Sequence, residues 1–220
     1  MAVITFVVAT RTRASGSAVL MRTYNNYPST NAFHATILQA ARATTAAPTL
    51  FLPIVINNIE YADGGVECNN PVQLALDEAH AIWPSRSIAC LVSIGTGLGE
   101  AIQLGDNQKE TMRRLLSITF PKVAFHTDVA KWCVKLLTSG YNEHLRFAAN
   151  INRLPIYNRY FRFDVNQGLD KIGLADWDKA DDIIALTDRY MGHEASEAKE
   201  KAAKFILNPS IPSSLSDVEN

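Results

Sequence analysis

The chain has 220 residues, 47% of them hydrophobic and 20% charged, with a formal net charge of −1. That length holds one substantial core, and one or at most two domains. The balanced charge excludes the basic footprint of a nucleic-acid binder. Three separated cysteines, Cys68, Cys90 and Cys133, suggest neither a disulfide framework nor a cysteine zinc site.

Ile4 to Ala9 is β-branched and apolar on both faces, which predicts an interior strand of a parallel sheet. Met1 to Ala9 carries no basic lead and no small-residue cleavage pattern, so it reads as a strand rather than a signal peptide. Opening on such a strand without a lead-in predicts that it comes from the middle of a larger domain. A polar loop follows over Thr10 to Ser17, and Ala18 to Tyr24 predicts a second strand. A helix is expected from Asn31 to about Thr45, capped by Ser29 or Thr30. Its buried stripe would be Phe33, Ile37, Ala40, Ala41 and Thr44.

Pro53 to Ile56 and Ile59 to Ala62 flank Asn57-Asn58, a good hairpin signal because Asn tolerates positive φ. The hairpin delivers Asp63 onto Gly64-Gly65, where the backbone can turn sharply. Asn70 is placed to cap the next helix and Pro71 to take its first position. That helix should reach about Ile82, burying Val72, Ala75, Leu76 and Ala79. Ile88 to Ile94 is the best buried strand of the chain. The Gly95-Thr96-Gly97-Leu98-Gly99 run behind it reads as a tight exit turn. It lacks the lysine and the prompt helix of a phosphate loop.

Helices are expected over Lys109 to Ile118 and Pro121 to Thr138. The stripe Phe125, Val129, Trp132, Cys133, Leu136 and Leu137 suits a core or, alternatively, a lipid-facing surface. Tyr160 to Val165 alternates like an edge strand. Two more helices should span Asp176 to Met191 and Glu194 to Leu207, before a loose Ser/Pro tail. Helix and strand in this order predict an α/β layered fold. The longest apolar runs are too short to span a bilayer, and no metal-ligating cluster stands out.

Several blocks then combine. Ala43-Thr44-Thr45-Ala46-Ala47-Pro48, Tyr61-Ala62-Asp63-Gly64-Gly65-Val66, Asn69-Asn70-Pro71 and Val92-Ser93-Ile94-Gly95-Thr96-Gly97 stand in order along the chain. They resemble the C-terminal half of a patatin-like phospholipase domain, most like fungal members. The resemblance implies an incomplete patatin-like layered fold with a central, mainly parallel sheet and a helical C-terminal extension. It divides the chain into the domain's C-terminal part (1–104), the mainly helical extension (105–207) and a flexible tail (208–220). It implies a serine lipid acyl hydrolase of phospholipase A type with a Ser/Asp dyad. In that scheme Asp63 is the proton acceptor, and Gly64 and Gly65 are scaffold. No cofactor or metal is implied. The partners would be a phospholipid or other acyl lipid, with peripheral membrane contact and a cytoplasmic location. His34, His80, His126, His144 and His193 have no motif around them and read as structural or surface residues.

Two family elements are missing from these residues. No G-x-S-x-G elbow carries a nucleophile, and no glycine-rich oxyanion loop precedes the acid motif. Ser15-Gly16-Ser17-Ala18 and Ser93-Ile94-Gly95-Thr96-Gly97 do not fit the elbow pattern. The chain as given is therefore expected to be inactive and, with its opening strand unpaired on one side, poorly soluble. The competing functions are a catalytically dead binding or regulatory fragment, or an acyltransferase on the same scaffold.

Overall fold

The structure, a computed structural model, describes residues 3–12, 18–24, 35–47, 51–97, 140, 142–151, 156–169, 172 and 176–209. The helices expected over 109–118 and 121–138, together with Cys133, His34, His126 and nearly all of the tail, lie outside them. Two compact units divide the described residues: 3–69 with Gly140, and 70–97 with 142–209.

The first unit is built on four strands: β1 (Phe6–Arg11), β2 (Ala18–Arg22), β3 (Ile54–Ile56) and β4 (Ile59–Asp63). Their order is β2-β1-β4-β3, with every neighbour antiparallel. The reason is visible at the β3–β4 turn. Asn57 and Asn58 take φ of 50° and 63°, the left-handed pair that reverses a chain tightly along its own twist. The expected hairpin is therefore present.

β1 departs from expectation. It was read as an interior strand of a parallel sheet, open on one side. It is interior, but β2 and β4 flank it antiparallel, with Val8 opposite Leu20 and Ala9 opposite both Val19 and Asp63. An apolar run cannot tell a parallel strand from a central antiparallel one, since both are buried on two faces. The exposed apolar edge, and the insolubility argued from it, are withdrawn for this strand.

Helix α1 (Ile37–Thr44) lies on one face of this sheet. Its start is a reciprocal cap, later than the Ser29 or Thr30 expected. Gln39 N donates to Thr36 Oγ1 at 3.2 Å and Thr36 N donates to Gln39 Oε1 at 2.9 Å. The buried stripe is also rotated from the expected one. Ala43 is fully buried and Ala40 partly so, whereas Ile37 is 85% exposed. Small residues let the helix approach so closely that Thr44 Oγ1 donates to Val8 O at 2.7 Å; the longer Ile37 is left outside. Ala9, Met21, Ala43, Ile56 and Tyr61 form the core between them.

The second unit contains helix α2 (Val72–Ile82), strand β5 (Leu91–Ile94), helical turns at 142–151 (α3), strand β6 (Tyr160–Phe163), and helices α4 (Ala180–Arg189) and α5 (Ser196–Leu207). β5 and β6 pair in parallel, from Leu91 opposite Tyr160 to Ile94 opposite Phe163. Their long connection supplies the crossover that parallel strands need. The α/β class is thus observed, with parallel pairing among the described strands confined to this pair. Val72, Leu76, Phe147, Ile151 and Ile156 make one core cluster, and Phe163, Ala195 and Ala202 another. α2 begins one residue later than expected. Asn70 Oδ1 still accepts from Val72 N at 3.3 Å, and it also accepts from Ser93 Oγ at 3.0 Å.

Candidate active site

Asp63 is the last residue of β4, an interior strand, and the cap of a single 3-10 turn, Gly64–Val66. Three fixings hold the corner. Asp63 N donates to Ala46 O at 3.1 Å, just beyond the end of α1. Gly65 N donates to Asp63 Oδ1 at 2.7 Å. Cys68 N closes the turn on Gly64 O at 2.8 Å. Gly64 is buried against β1, and a Cβ there would collide with the carbonyl group and side chain of Val8. The Asp-Gly-Gly order therefore has a steric cause: the second residue must lie flat on a neighbouring strand.

The Asp63 carboxyl is half-buried. Burial holds its pKa above the ordinary value of 3.8, partly opposed by the Gly65 N–H, which favours the anion. Among the described residues no cation pairs with it. The result is a carboxylate aimed by one backbone hydrogen bond, partly shielded from water and not neutralised. Those are the requirements of a general base.

The glycines behind β5 have a different purpose. Arg162 and Asp164 lie on the same face of the β6 strand and its continuation, joined by an ion pair of 2.6 Å with side chains only 12% and 8% exposed. Gly97 N donates to Asp164 Oδ1 at 2.8 Å, and Arg162 Nη1 donates to Ser93 Oγ at 2.8 Å. A Cβ on Gly95 would run into both Arg162 and Asp164. The glycine run is thus shaped to receive an ion pair, and the tight exit turn expected there has a specific reason. Ser93 is 8% exposed and bonded to Asn70 and Arg162, the setting of a structural hydroxyl rather than a nucleophile.

His144 Nδ1 lies 2.8 Å from Tyr160 OH. Burial, with help from the Arg162 charge, lowers the histidine's pKa, and burial raises that of the tyrosine. Both groups therefore favour their neutral forms. Beside them is an open cavity of about 420 Å³, lined among others by Arg162, Asp164 and Tyr190. The ionic groups on its wall already satisfy each other. His80 and His193 are exposed. Reading the residues singly missed the Arg162–Asp164 pair. The alternation of Tyr160-Phe161-Arg162-Phe163-Asp164 held the signal, because residues two apart on a strand share a face. Among the described residues, no group of three or more His, Cys, Asp or Glu is placed to hold a metal ion. No helix described is long and apolar enough to cross a membrane.

A half-buried carboxylate on a glycine corner, at the end of an interior strand, is placed where it can accept a proton. The model of the family described as "Patatin-like phospholipase" matches residues 6–76, a span that includes the whole corner. Over those residues the chain is similar to patatin-like phospholipases. It is 39% identical over 89 residues to the calcium-independent phospholipase A2-gamma of Rattus norvegicus, covering 38% of this chain and 12% of that protein. The Homo sapiens protein of the same name is 36% identical over 89 residues, 38% of this chain and 11% of that protein. Phospholipase A I of Arabidopsis thaliana is 41% identical over 61 residues, 28% of this chain and 5% of that protein. The chain thus spans about an eighth or less of the length of these relatives. They are mammalian and plant proteins, and none of them bears on the expected likeness to fungal members.

Proposed function

We propose that this chain is part of a lipid acyl hydrolase of phospholipase A type, with Asp63 as the base of a Ser/Asp dyad. The observation that carries the reading is the Asp63 corner: a half-buried carboxylate with no paired cation among the described residues, whose Oδ1 is fixed by Gly65 N at 2.7 Å. The family match over residues 6–76 supports the reaction class, and the names of the relatives support the substrate, a phospholipid or similar acyl lipid. Asp63 would take the proton of a serine hydroxyl and then activate the water that clears the acyl-enzyme. Gly64 and Gly65 hold it in place and take no part in the chemistry. The 220 residues contain no G-x-S-x-G. The nucleophile and its oxyanion donors are therefore to be sought in polypeptide outside this sequence.

The test is to express the chain alone and joined to its adjoining upstream polypeptide, with a short-chain aryl ester as substrate. Alone it should show no turnover. Joined to a segment carrying the serine elbow it should be active, and Asp63→Asn should lower kcat by about 10²-fold or more. Turnover by the chain alone, lost on Asp63→Ala, would refute the two-part site. Full activity of the joined Asp63→Asn variant would refute the base.

A further inference from the structure

Two adjacent threonines close α1, and their hydroxyls go to different places. Thr45 Oγ1 donates to Ala41 O at 2.8 Å, four residues back, the ordinary habit of a helical threonine. Thr44 Oγ1 donates instead to Val8 O on β1 at 2.7 Å. That carbonyl belongs to the neighbour of Ala9, whose partner across the ladder is Asp63. It is also the group on which Gly64 rests, since a Cβ on Gly64 would strike it. One carbonyl thus receives both the end of α1 and the glycine corner. A second link follows two residues later. β3 pairs with β4 only as far as Tyr61, and where that pairing stops the Ala46 carbonyl takes the Asp63 N–H at 3.1 Å. Ala46 is itself held, with its N–H on Ala43 O at 3.3 Å and its side chain buried.

We propose that Thr44 is a positioning residue for Asp63. Its hydroxyl ties the end of α1 to β1 beneath the glycine corner, and the Ala46 carbonyl, carried on the same turn, then sets where the Asp63 backbone stands. The proposal rests on the reading of Asp63 as a base. Packing α1 on the sheet does not need this hydroxyl, because Ala40 and Ala43 supply the apolar contact. Apolar contact is non-directional, however, and leaves the helix some freedom to slide. A hydrogen bond has a preferred distance and angle, so it fixes the register of the helix end against β1. Proton transfer needs that precision. A base must stand within hydrogen-bond reach of the proton it takes, and a displacement of about 1 Å can cost about 10²-fold in rate. Thr44 acts through Asp63 and takes no part in the chemistry.

Three variants test this, in the 220-residue chain and in the joined protein of the aryl-ester assay. Thr44→Val keeps the shape and loses the donor, and Thr44→Ser keeps the donor. Thr45→Val removes the neighbouring hydroxyl, which bonds only within the helix. In the joined protein Thr44→Val should lower kcat by about tenfold or more while KM stays within about twofold. Thr44→Ser should recover most of that loss, and Thr45→Val should leave kcat unchanged. In the 220-residue chain, amide hydrogen exchange at the Asp63 N–H should quicken by about tenfold in Thr44→Val and keep the wild-type rate in Thr45→Val. The inference is overturned by wild-type kcat in Thr44→Val, by an equal loss in Thr45→Val, by no recovery in Thr44→Ser, or by unchanged exchange at Asp63. Failure of the base reading looks different: the joined Asp63→Asn variant keeps full activity while the exchange effect of Thr44→Val persists. Failure of the positioning role leaves exchange unchanged while Asp63→Asn still loses turnover.

Discussion

The two units each place a carboxylate beside a glycine corner, and they treat it in opposite ways. Asp63 has one backbone N–H on one oxygen and no cation among the described residues, and its pKa is raised by burial. Asp164 accepts from Gly97 N on one oxygen and takes both Nε and Nη2 of Arg162 on the other. Both sites have the glycines, and both sit at a strand end. What separates a candidate base from a structural anchor is the number of donors and the presence of a fixed cation. A carboxylate whose two oxygens are both taken by fixed donors is an anchor. One held by a single N–H is aimed but remains able to take a proton.

The contrast breaks most sharply at Arg162. Removing one member of a buried pair leaves an uncompensated charge, at a cost of about 3–5 kcal/mol. Arg162→Met should lower unfolding stability by that order in urea denaturation, because Asp164 keeps only the Gly97 N–H. Adding Asp164→Leu should recover much of the loss. A loss below about 1 kcal/mol for Arg162→Met would place the pair among weak surface bridges and remove the distinction drawn between the two carboxylates.

The next test compares the glycines. In Gly64→Ala the new methyl meets the backbone of β1 at Val8; in Gly95→Ala it meets the side chains of Arg162 and Asp164. Overpacking of this kind costs about 1–3 kcal/mol. Gly64→Ala should lie at the upper end, because a central strand cannot move aside without breaking its pairing with β2. Gly95→Ala should be milder in an Arg162→Met background, where part of the obstruction is gone, and denaturation midpoints of the wild type, the two single variants and the double variant measure that coupling. Equal costs in both backgrounds would mean that the ion pair is not what the Gly95 corner accommodates.

The same contrast explains what could be read from the sequence. The Asp63 corner was legible because its determinants are local: an Asn-Asn hairpin, a strand of five residues, two glycines. The α1 stripe was misread because helical spacing alone does not say which of two apolar faces turns inward. Close contact favoured Ala40 and Ala43, and the bulkier Ile37 and Leu38 were left outside. The strand direction of β1 was misread because burial on both faces does not encode it. The Arg162–Asp164 pair and its glycines are far apart in sequence, at 95–97 and 162–164, so no window along the chain contains both. Asn70 was half-legible. Its cap to Val72 is local, whereas its bond from Ser93 depends on β5 folding back.

The smallest effect is also the most diagnostic of a base held ready. Asp63 is protonated more readily folded than unfolded, because burial raises its pKa above 3.8. Between the unfolded and folded pKa values the native state binds more protons, so stability falls as pH rises through that window. Above it, the charged carboxylate is a standing penalty on the fold. Asn is neutral and can still accept from Gly65 N. Asp63→Asn should therefore be slightly more stable than the wild type at neutral pH, with the difference vanishing as pH drops below 3.8, as urea midpoints measured across pH would show. A variant less stable at neutral pH, or a difference that grows on acidification, would mean that the native state stabilises the anion, as it does when a cation lies nearby. Asp63 would then be an anchor rather than a base. A gain in stability coupled to loss of turnover in the joined protein is what a residue kept for chemistry at the expense of the fold should display.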